Sequence, residues 1–310
     1  MTVTITGGLT FGGGGVTFAP VAGGSGNKAI FGYGFNGLPL SMTNLVSNTG
    51  VVATDTTGVG TTRYSLAAAG YGSDKAIFGY GYSSDYTAIT NLVSNTGVVA
   101  NDTAGVGTGR VDLGAAGYGT DKAIFGYGYT SVAPTAITNL VSNTGVVSTN
   151  TTGVGTARSN LTAAGYGTDK AIFGYGNSGS ITSITNLVSN TGVVATDTTG
   201  VGTVRSNLAA AGYGTDKAIF GYGSNSSSVK VSMTNLVSNT GVVATDTTGV
   251  GTARSGLAAA GYGTDKAIFG YGTTGTLTAI TNLVSNTGVV ATDTTGVGTA
   301  RQVLAAAAYG

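Results

Sequence analysis

The residues that could do chemistry in this sequence are few in type and repeated in position. Its 310 residues include 13 Lys and Arg and 12 acidic residues, all of them Asp, and no His, Cys or Trp. Without His or Cys there is no imidazole base, no thiolate nucleophile, no disulfide and no ordinary zinc, haem or iron–sulfur site. The sequence therefore predicts no cofactor and no tightly bound transition metal.

All but one of the positive charges occupy two repeated positions. One position is a Lys, which follows an Asp in five of six copies, and the other is an Arg that precedes a run of small residues. The arginines are Arg63, Arg110, Arg158, Arg205, Arg254 and Arg301. A ring of these charges can bind an anion or a carboxylated sugar. The near cancellation to a net charge of +1 favours the alternative, in which each charge pairs locally and the ring is structural.

These charges belong to an internal repeat. The phrase Lys-Ala-Ile-Phe-Gly-Tyr-Gly begins at six lysines, at intervals of 47 to 49 residues: Lys28, Lys75, Lys122, Lys170, Lys217 and Lys266. Repeats of this length indicate helical solenoids or propeller blades. The abundance of Gly and of β-branched residues favours strands over helices. One turn of helix at the alanine run, residues 66–69, is the local alternative.

Each unit divides into four strand-like runs separated by turn signals. In one unit these runs are residues 110–116, 122–128, 137–142 and 146–149. The Ser-Asn-Thr-Gly between the last two runs is typical of a tight hairpin turn. We therefore predict an all-β fold, a six-bladed β-propeller with four antiparallel strands per blade.

The two ends of the chain complete this architecture. Residues 301–307 repeat the first strand of a unit but have no second strand after them. We expect them to pair with the strand that begins at Lys28 and so to close the ring, which removes exposed sheet edges. The propeller then comprises residues 21–310. Residues 1–20 form a separate Gly-rich element of one or two short strands, which either packs on the propeller or tethers it to a partner.

The repeat resembles kelch-repeat β-propellers over residues 27–310. Arg158 with the small residues after it, Asp169-Lys170 with the strand that ends at Gly174 and Gly176, and the turn at 190–194 match the kelch pattern. The sequence departs from it in three ways: Tyr175 separates the paired glycines, Val replaces the Trp of the last strand, and the Glu that usually partners the Arg has no counterpart. The resemblance implies the fold and not the function, because propellers host many activities.

The segments between the second and third strands, the B–C loops, vary most between units. They hold 8 to 10 residues and contain residues that are rare elsewhere. The candidate ligand-binding residues in them are Tyr82, Asp85, Tyr86, Tyr129 and Lys230. Dissimilar loops on a uniform scaffold are typical of a recognition surface, and neutral drift is the alternative.

The repeated side chains are less promising as sites. Two Tyr positions in each unit, such as Tyr118 and Tyr127, could stack on sugars, but packing between blades is the favoured interpretation. The repeated aspartates occur in several equivalent copies, whereas a catalytic carboxylate pair usually occupies singular positions. We therefore expect no enzymatic activity.

A second resemblance concerns function. Residues 4–16 and the propeller units resemble Gly-rich structural proteins and propeller proteins of tailed bacteriophages of aquatic bacteria. This implies a virion protein, such as a fibre tip, adhesin or capsid decoration, which joins the particle or another large assembly through its N-terminus. Its B–C loops would bind a cell-surface polysaccharide or protein. A secreted carbohydrate-binding or hydrolytic bacterial propeller and an intracellular adaptor are the alternatives. Residues 1–6 lack a secretory signal pattern, which weighs against secretion. Neither nucleic-acid binding nor membrane insertion is expected.

Overall fold

The computed structural model describes residues 10–12, 15–17 and 27–310. Strands β1 (Thr10–Gly12) and β2 (Gly15–Thr17) pair with each other antiparallel. The other residues of the predicted N-terminal element, and the predicted domain boundary after residue 20, lie outside the described residues. Within the described part the chain contains strands, turns and loops but no helix, and so no helix there has the length and apolarity to cross a membrane.

Residues 27–310 form six antiparallel sheets of three strands, which we call units 1 to 6. Unit 1 combines β3 (Lys28–Phe35) and β4 (Pro39–Val46) with the last strand of the chain, β20 (Ala305–Tyr309). The others are, in order, β5 (Ala67–Tyr71), β6 (Lys75–Gly79) and β7 (Thr90–Val93); β8 (Gly114–Tyr118), β9 (Lys122–Gly126) and β10 (Thr138–Val141); β11 (Thr162–Tyr166), β12 (Lys170–Gly174) and β13 (Thr185–Val188); β14 (Ala209–Tyr213), β15 (Lys217–Gly221) and β16 (Thr234–Val237); β17 (Ala258–Tyr262), β18 (Lys266–Gly270) and β19 (Thr281–Val284). The alanine runs are strands, so the helical alternative for residues 66–69 is wrong.

The C-terminal strand lies where the repeat predicted it. β20 pairs with β3 in a continuous register from Ala305 opposite Gly32 to Tyr309 opposite Lys28. It also contacts the first strands of units 6 and 2, β17 and β5, and every other first strand likewise contacts those of its two neighbours. Six three-stranded sheets in this order are consistent with a six-bladed β-propeller.

The prediction of four strands per unit is wrong, because the outermost segment is irregular. In unit 3 it pairs with β10 through two isolated bridges, Val147 with Val141 and Thr151 with Thr138, and through a backbone bond from the Ser148 N–H to the carbonyl of Leu140 at 2.8 Å. Between the bridges, the buried Asn139 side chain donates its Nδ2 hydrogen to the carbonyl of Ser148 at 3.0 Å. A side chain thus takes up an acceptor of this segment, and a regular ladder does not form.

The inner strands are also shorter or shifted relative to the prediction. In unit 3 the first strand begins at Gly114 and the second ends at Gly126. Asp112 and Tyr127 have φ angles of 53° and 62°. Because left-handed backbone cannot continue a strand, these two residues set the limits that the residue pattern did not show.

The core lies between neighbouring sheets. Phe125 of unit 3 packs against Tyr80 of unit 2 with ring centroids 5.1 Å apart, and both side chains are fully buried. Gly79 makes room for this contact, since a Cβ there would stand 2.7 Å from Cζ of Phe125. Equivalent Phe–Tyr pairs, at 5.1 to 5.2 Å, join the other neighbouring units.

Candidate functional site

Each repeated Arg is fully buried and makes its hydrogen bonds to uncharged partners. Arg158 donates its Nε hydrogen to the carbonyl of Tyr175 at 2.9 Å and an Nη2 hydrogen to Oδ1 of Asn186 at 2.7 Å. Its guanidinium lies 4.4 Å from the ring centroid of Tyr127 in the preceding unit. All six arginines stack on such a tyrosine, at 4.2 to 4.8 Å. A buried charge needs hydrogen bonds of this kind, although among the described residues Nε of Arg63 and of Arg205 has no acceptor. The guanidinium groups do not face solvent.

The Arg partner that the sequence reasoning missed is the Asn of the third strand. It is buried in all six units, and its occurrence in every Thr-Asn-Leu-Val phrase was the available signal. Ion pairs with Asp are secondary, at 3.6 Å for Arg63 with Asp102 and 4.0 Å for Arg301 with Asp55. Five of the six repeated lysines pair with the adjacent Asp at 2.7 to 2.9 Å on the surface.

The repeated tyrosines are part of the scaffold. Tyr175 is fully buried, and its hydroxyl donates to the carbonyl of Val201 at 3.2 Å. Burial, opposed by Arg205, raises the pKa of Tyr175 to about 12. The second Tyr of each unit is at most 4% exposed, as in Tyr118. These tyrosines offer no stacking surface to a sugar.

A variable layer lies directly on this network. The residue after each Arg forms an isolated antiparallel bridge with the first residue after Gly-Tyr-Gly. The bridged pairs are Gln302–Phe35, Tyr64–Tyr82, Val111–Tyr129, Ser159–Asn177, Ser206–Ser224 and Ser255–Thr273. We call the surface formed by these pairs and the B–C loops the loop face. The bridged pairs are aromatic or apolar in units 1 to 3, apart from Gln302, and hydroxyl- or amide-bearing in units 4 to 6.

Four rings form a continuous group on the loop face, which we call the aromatic cluster. Tyr64 lies 5.1 Å from Phe35 and 5.6 Å from Tyr82, and Tyr82 lies 5.5 Å from Tyr86 in an edge-to-face arrangement. All four side chains are half-buried. The structure thus joins two predicted site residues to two that the sequence did not single out. Tyr64 meets Tyr82 through a bridge within unit 2, and Phe35 of unit 1 joins them through its ring contact with Tyr64.

The other predicted site residues lie apart from these contacts. Asp85 is exposed at the loop tip beside the aromatic cluster, where its Oδ1 accepts the Tyr86 N–H at 2.7 Å. Tyr129 bridges Pro134 in its own loop in unit 3, and Lys230 bridges Ser224 in unit 5. The predicted set is therefore not one site.

A second concave feature lies between the first strands of the units. The first strands surround a cavity of about 130 Å³. Its walls include the residue two positions after each Arg, which we call the axial ring: Ser65, Asp112, Asn160, Asn207, Gly256 and Val303. Each has a φ between 48° and 63°, and each donates its backbone N–H to the carbonyl of a neighbour in the ring, at 2.7 to 3.0 Å. Burial raises the pKa of Asp112, opposed by a hydrogen bond with Ser65.

Among the described residues no group of three or more His, Cys, Asp or Glu side chains could hold a metal ion.

No protein-family model matches the chain, and no curated protein sequence is significantly similar to it.

Proposed function

We propose that this protein is a non-enzymatic recognition protein that binds a neutral cell-surface polysaccharide through the aromatic cluster. The scaffold in this proposal is a closed propeller of the kelch type, held together by its C-terminal strand. Contacts from the C-terminus to unit 1 support the closure. Thr299 donates its backbone N–H to Asp55 at 3.0 Å, and Arg301 donates an Nη2 hydrogen to Asn44 at 2.7 Å.

The aromatic cluster is the observation that carries the binding proposal. Aromatic rings stack on the apolar C–H faces of sugar rings, and tyrosine hydroxyls reach the sugar hydroxyl groups. Bridges fix the backbone at Tyr64 and at Tyr82, so little conformational entropy is lost on binding. The cluster has no cation to attract an acidic sugar, and Asp85 beside it would repel one. A neutral glycan therefore fits best.

The same region supports binding rather than hydrolysis. Glycoside hydrolysis in its common forms uses two carboxyl groups across the scissile bond. The loop that carries Tyr82 and Tyr86 has one, Asp85, which is exposed at its tip. We expect no release of reducing ends from any polysaccharide that the protein binds.

The test replaces the aromatic pair of unit 2 by the pair that unit 5 already has. The double variant Tyr64→Ser with Tyr82→Ser places Ser at both positions, as Ser206 and Ser224 do in the same bridge. On a glycan array, followed by titration of any neutral polysaccharide that is retained, we expect affinity to fall at least about tenfold. The matched control changes Ser206 and Ser224 to Ala and should bind like the wild type. Equal binding by the aromatic variant, or no glycan bound by the wild type, would refute the proposal.

The setting of this function is part of the same proposal. We place the protein on a phage particle, joined through residues 1–20, on the strength of the sequence resemblance. Mass spectrometry of purified particles should detect it, and deletion of residues 1–20 should remove it from the particle while leaving glycan binding intact. Its absence from particles, or incorporation of the deletion variant, would contradict the virion assignment but not the proposal that the protein binds a glycan.

A further inference from the structure

We propose that the axial cavity binds a small primary ammonium ion, with the carboxylate of Asp112 as its charged anchor. This site is separate from the aromatic cluster, and the proposal does not depend on glycan binding.

Asp112 differs from the repeated aspartates of the chain. Five of those pair with the adjacent Lys: Asp74, Asp121, Asp169, Asp216 and Asp265. Five others accept hydrogen bonds from a Thr: Asp55, Asp102, Asp197, Asp246 and Asp293. Asp112 has neither role, and no Lys or Arg within residues 27–310 forms an ion pair with it. Among the residues that the structure describes, it is also the one titratable residue that lines the cavity.

The fold does not require a carboxylate at this position. Asn160 and Asn207 occupy the same place in units 4 and 5, with φ angles of 54° and 53° against 53° for Asp112. They also form the same backbone bonds around the ring, at 2.9 and 3.0 Å. Since burial of a carboxylate disfavours its charged form, Asp at this position is less favourable for folding at neutral pH than Asn. A bound cation would offset that cost.

The chemistry of the walls selects an ammonium group. The axial ring provides one carboxylate, the hydroxyl of Ser65 and the side-chain amides of Asn160 and Asn207. An ammonium group has three N–H donors and no acceptor, which suits one carboxylate among neutral oxygens. Calcium usually requires six to eight oxygen ligands, several of them carboxylates, and the ring carbonyls already accept neighbouring N–H groups.

The remaining walls set the shape of the ligand. Leucine and alanine residues of the first strands line the rest of the cavity, so a short alkyl chain can follow the ammonium group. The volume of about 130 Å³ lies well below the 300 to 1,000 Å³ or so typical of sites for drug-sized ligands. We therefore choose n-butylammonium as the probe and n-butanol as its uncharged counterpart.

The test compares the full-length wild type with Asp112→Asn. The matched control is Asp85→Asn, because Asp85 is the other aspartate outside the repeated positions and is exposed at a loop tip, away from the cavity. Calorimetric titration should show n-butylammonium binding to the wild type and to Asp85→Asn, at least about tenfold weaker binding to Asp112→Asn, and none of n-butanol. Binding should weaken as pH falls through the raised pKa of Asp112. No binding to the wild type, equal binding to Asp112→Asn, or equal binding of n-butanol would overturn the proposal. Asp112-dependent calcium binding without ammonium binding would overturn it as well.

A thermal measurement shows whether Asp112→Asn is folded and checks the premise. A raised pKa in the folded state means that the native protein binds more protons than the unfolded chain, so stability falls as pH rises. At pH 7 without ligand, Asp112→Asn should therefore melt above the wild type, and the two should converge below the ordinary Asp pKa of about 3.9. n-Butylammonium should raise the melting temperature of the wild type and not that of Asp112→Asn. A variant that melts below the wild type at pH 7 would contradict the premise.

Discussion

The buried Arg network and the loop face are adjacent in sequence but differ in how much they vary. Every unit has the Arg, the Asn of its third strand and the Tyr of the preceding unit, in the same contacts. The next two residues change from unit to unit: Tyr64 and Ser65 follow Arg63, whereas Gln302 and Val303 follow Arg301.

The difference follows from which atoms make the contacts. In the Arg network the bonds come from side chains, so a substitution leaves a buried group without its partner. On the loop face they come from the backbone, as between Ser159 and Asn177, which exchange N–H to carbonyl bonds of 2.9 and 2.8 Å. Any side chain is compatible with that bridge. The loop face can therefore acquire an aromatic cluster in one half and a polar surface in the other without a change in the scaffold.

Removal of residues 300–310 should have the largest effect. It deletes β20 and leaves the edge of β3 unpaired. It also takes away Arg301, which donates its Nε hydrogen to the carbonyl of Tyr33 at 2.8 Å. We expect loss of the cooperative unfolding transition in calorimetry. Gln302→Ala, a change on the loop face alone, should melt like the wild type. A truncated chain that unfolds as cooperatively as the full chain would show that unit 1 does not need its C-terminal strand.

Neighbouring residues allow the two regions to be compared directly. Arg158→Met leaves Oδ1 of Asn186 and the carbonyl of Tyr175 without their buried donor. We expect a loss of about 3 kcal/mol in the free energy of unfolding, measured by urea denaturation. Ser159→Ala, one residue later, keeps its backbone bridge and should lose less than about 1 kcal/mol. Similar losses for both variants would remove the distinction between network and loop face.

A smaller effect should separate scaffold tyrosines from those of the loops. Tyr222→Phe removes the hydroxyl that donates to the carbonyl of Val250 at 3.0 Å in a buried setting. The expected loss is about 1 kcal/mol. Tyr129→Phe removes an exposed hydroxyl that lies 3.4 Å from the carbonyl of Val132, and should change stability little. An equal loss in the two variants would contradict the assignment of Tyr222 to the scaffold.

Much of the fold could be predicted from the sequence because the repeat is nearly perfect. The six units, the strand class and the pairing of β20 with β3 all follow from phrases that recur with the same spacing. The fourth strand was predicted wrongly, since nothing in the residues 146–149 shows that Asn139, from another strand, bonds into this segment. Propensity describes a segment alone, whereas this irregularity is made by a side chain from its neighbour.

The candidate site was only partly predictable. Tyr82 and Tyr86 stand out in a variable loop, but Tyr64 joins them from another segment of unit 2, and Phe35 joins through a contact between units. Sequence spacing encodes neither contact. Asp112 was equally hidden, because its importance comes from the cavity that it lines and from the positive φ that places it there. Both depend on contacts between neighbouring units.

The smallest effect concerns the outermost segments of the units, which we call the rim, where unit 3 has Asn150 in place of the Asp of the other units. Burial raises the pKa of Asp197, but hydrogen bonds from Thr156 and Asn186 outweigh it, so the net shift is downward. A lowered folded pKa gives stability that is present above the ordinary Asp pKa and is lost as pH falls through the folded pKa. Asp197→Asn should therefore reduce stability at pH 7 by less than about 1 kcal/mol, since the group is largely exposed.

The acid dependence of that loss, measured by urea denaturation at pH 7 and pH 2.5, distinguishes it from a packing defect. The gap between the wild type and Asp197→Asn should shrink at pH 2.5, where the carboxyl is increasingly protonated. Asn150→Asp is the matched reverse change: Asn150 already accepts the Thr108 N–H at 3.2 Å and donates to its hydroxyl at 2.8 Å, so Asp can accept from both groups. It should gain a little stability at pH 7 and none at pH 2.5. If both variants instead differ from the wild type by the same amount at the two pH values, the rim carboxylates act through shape and not through charge.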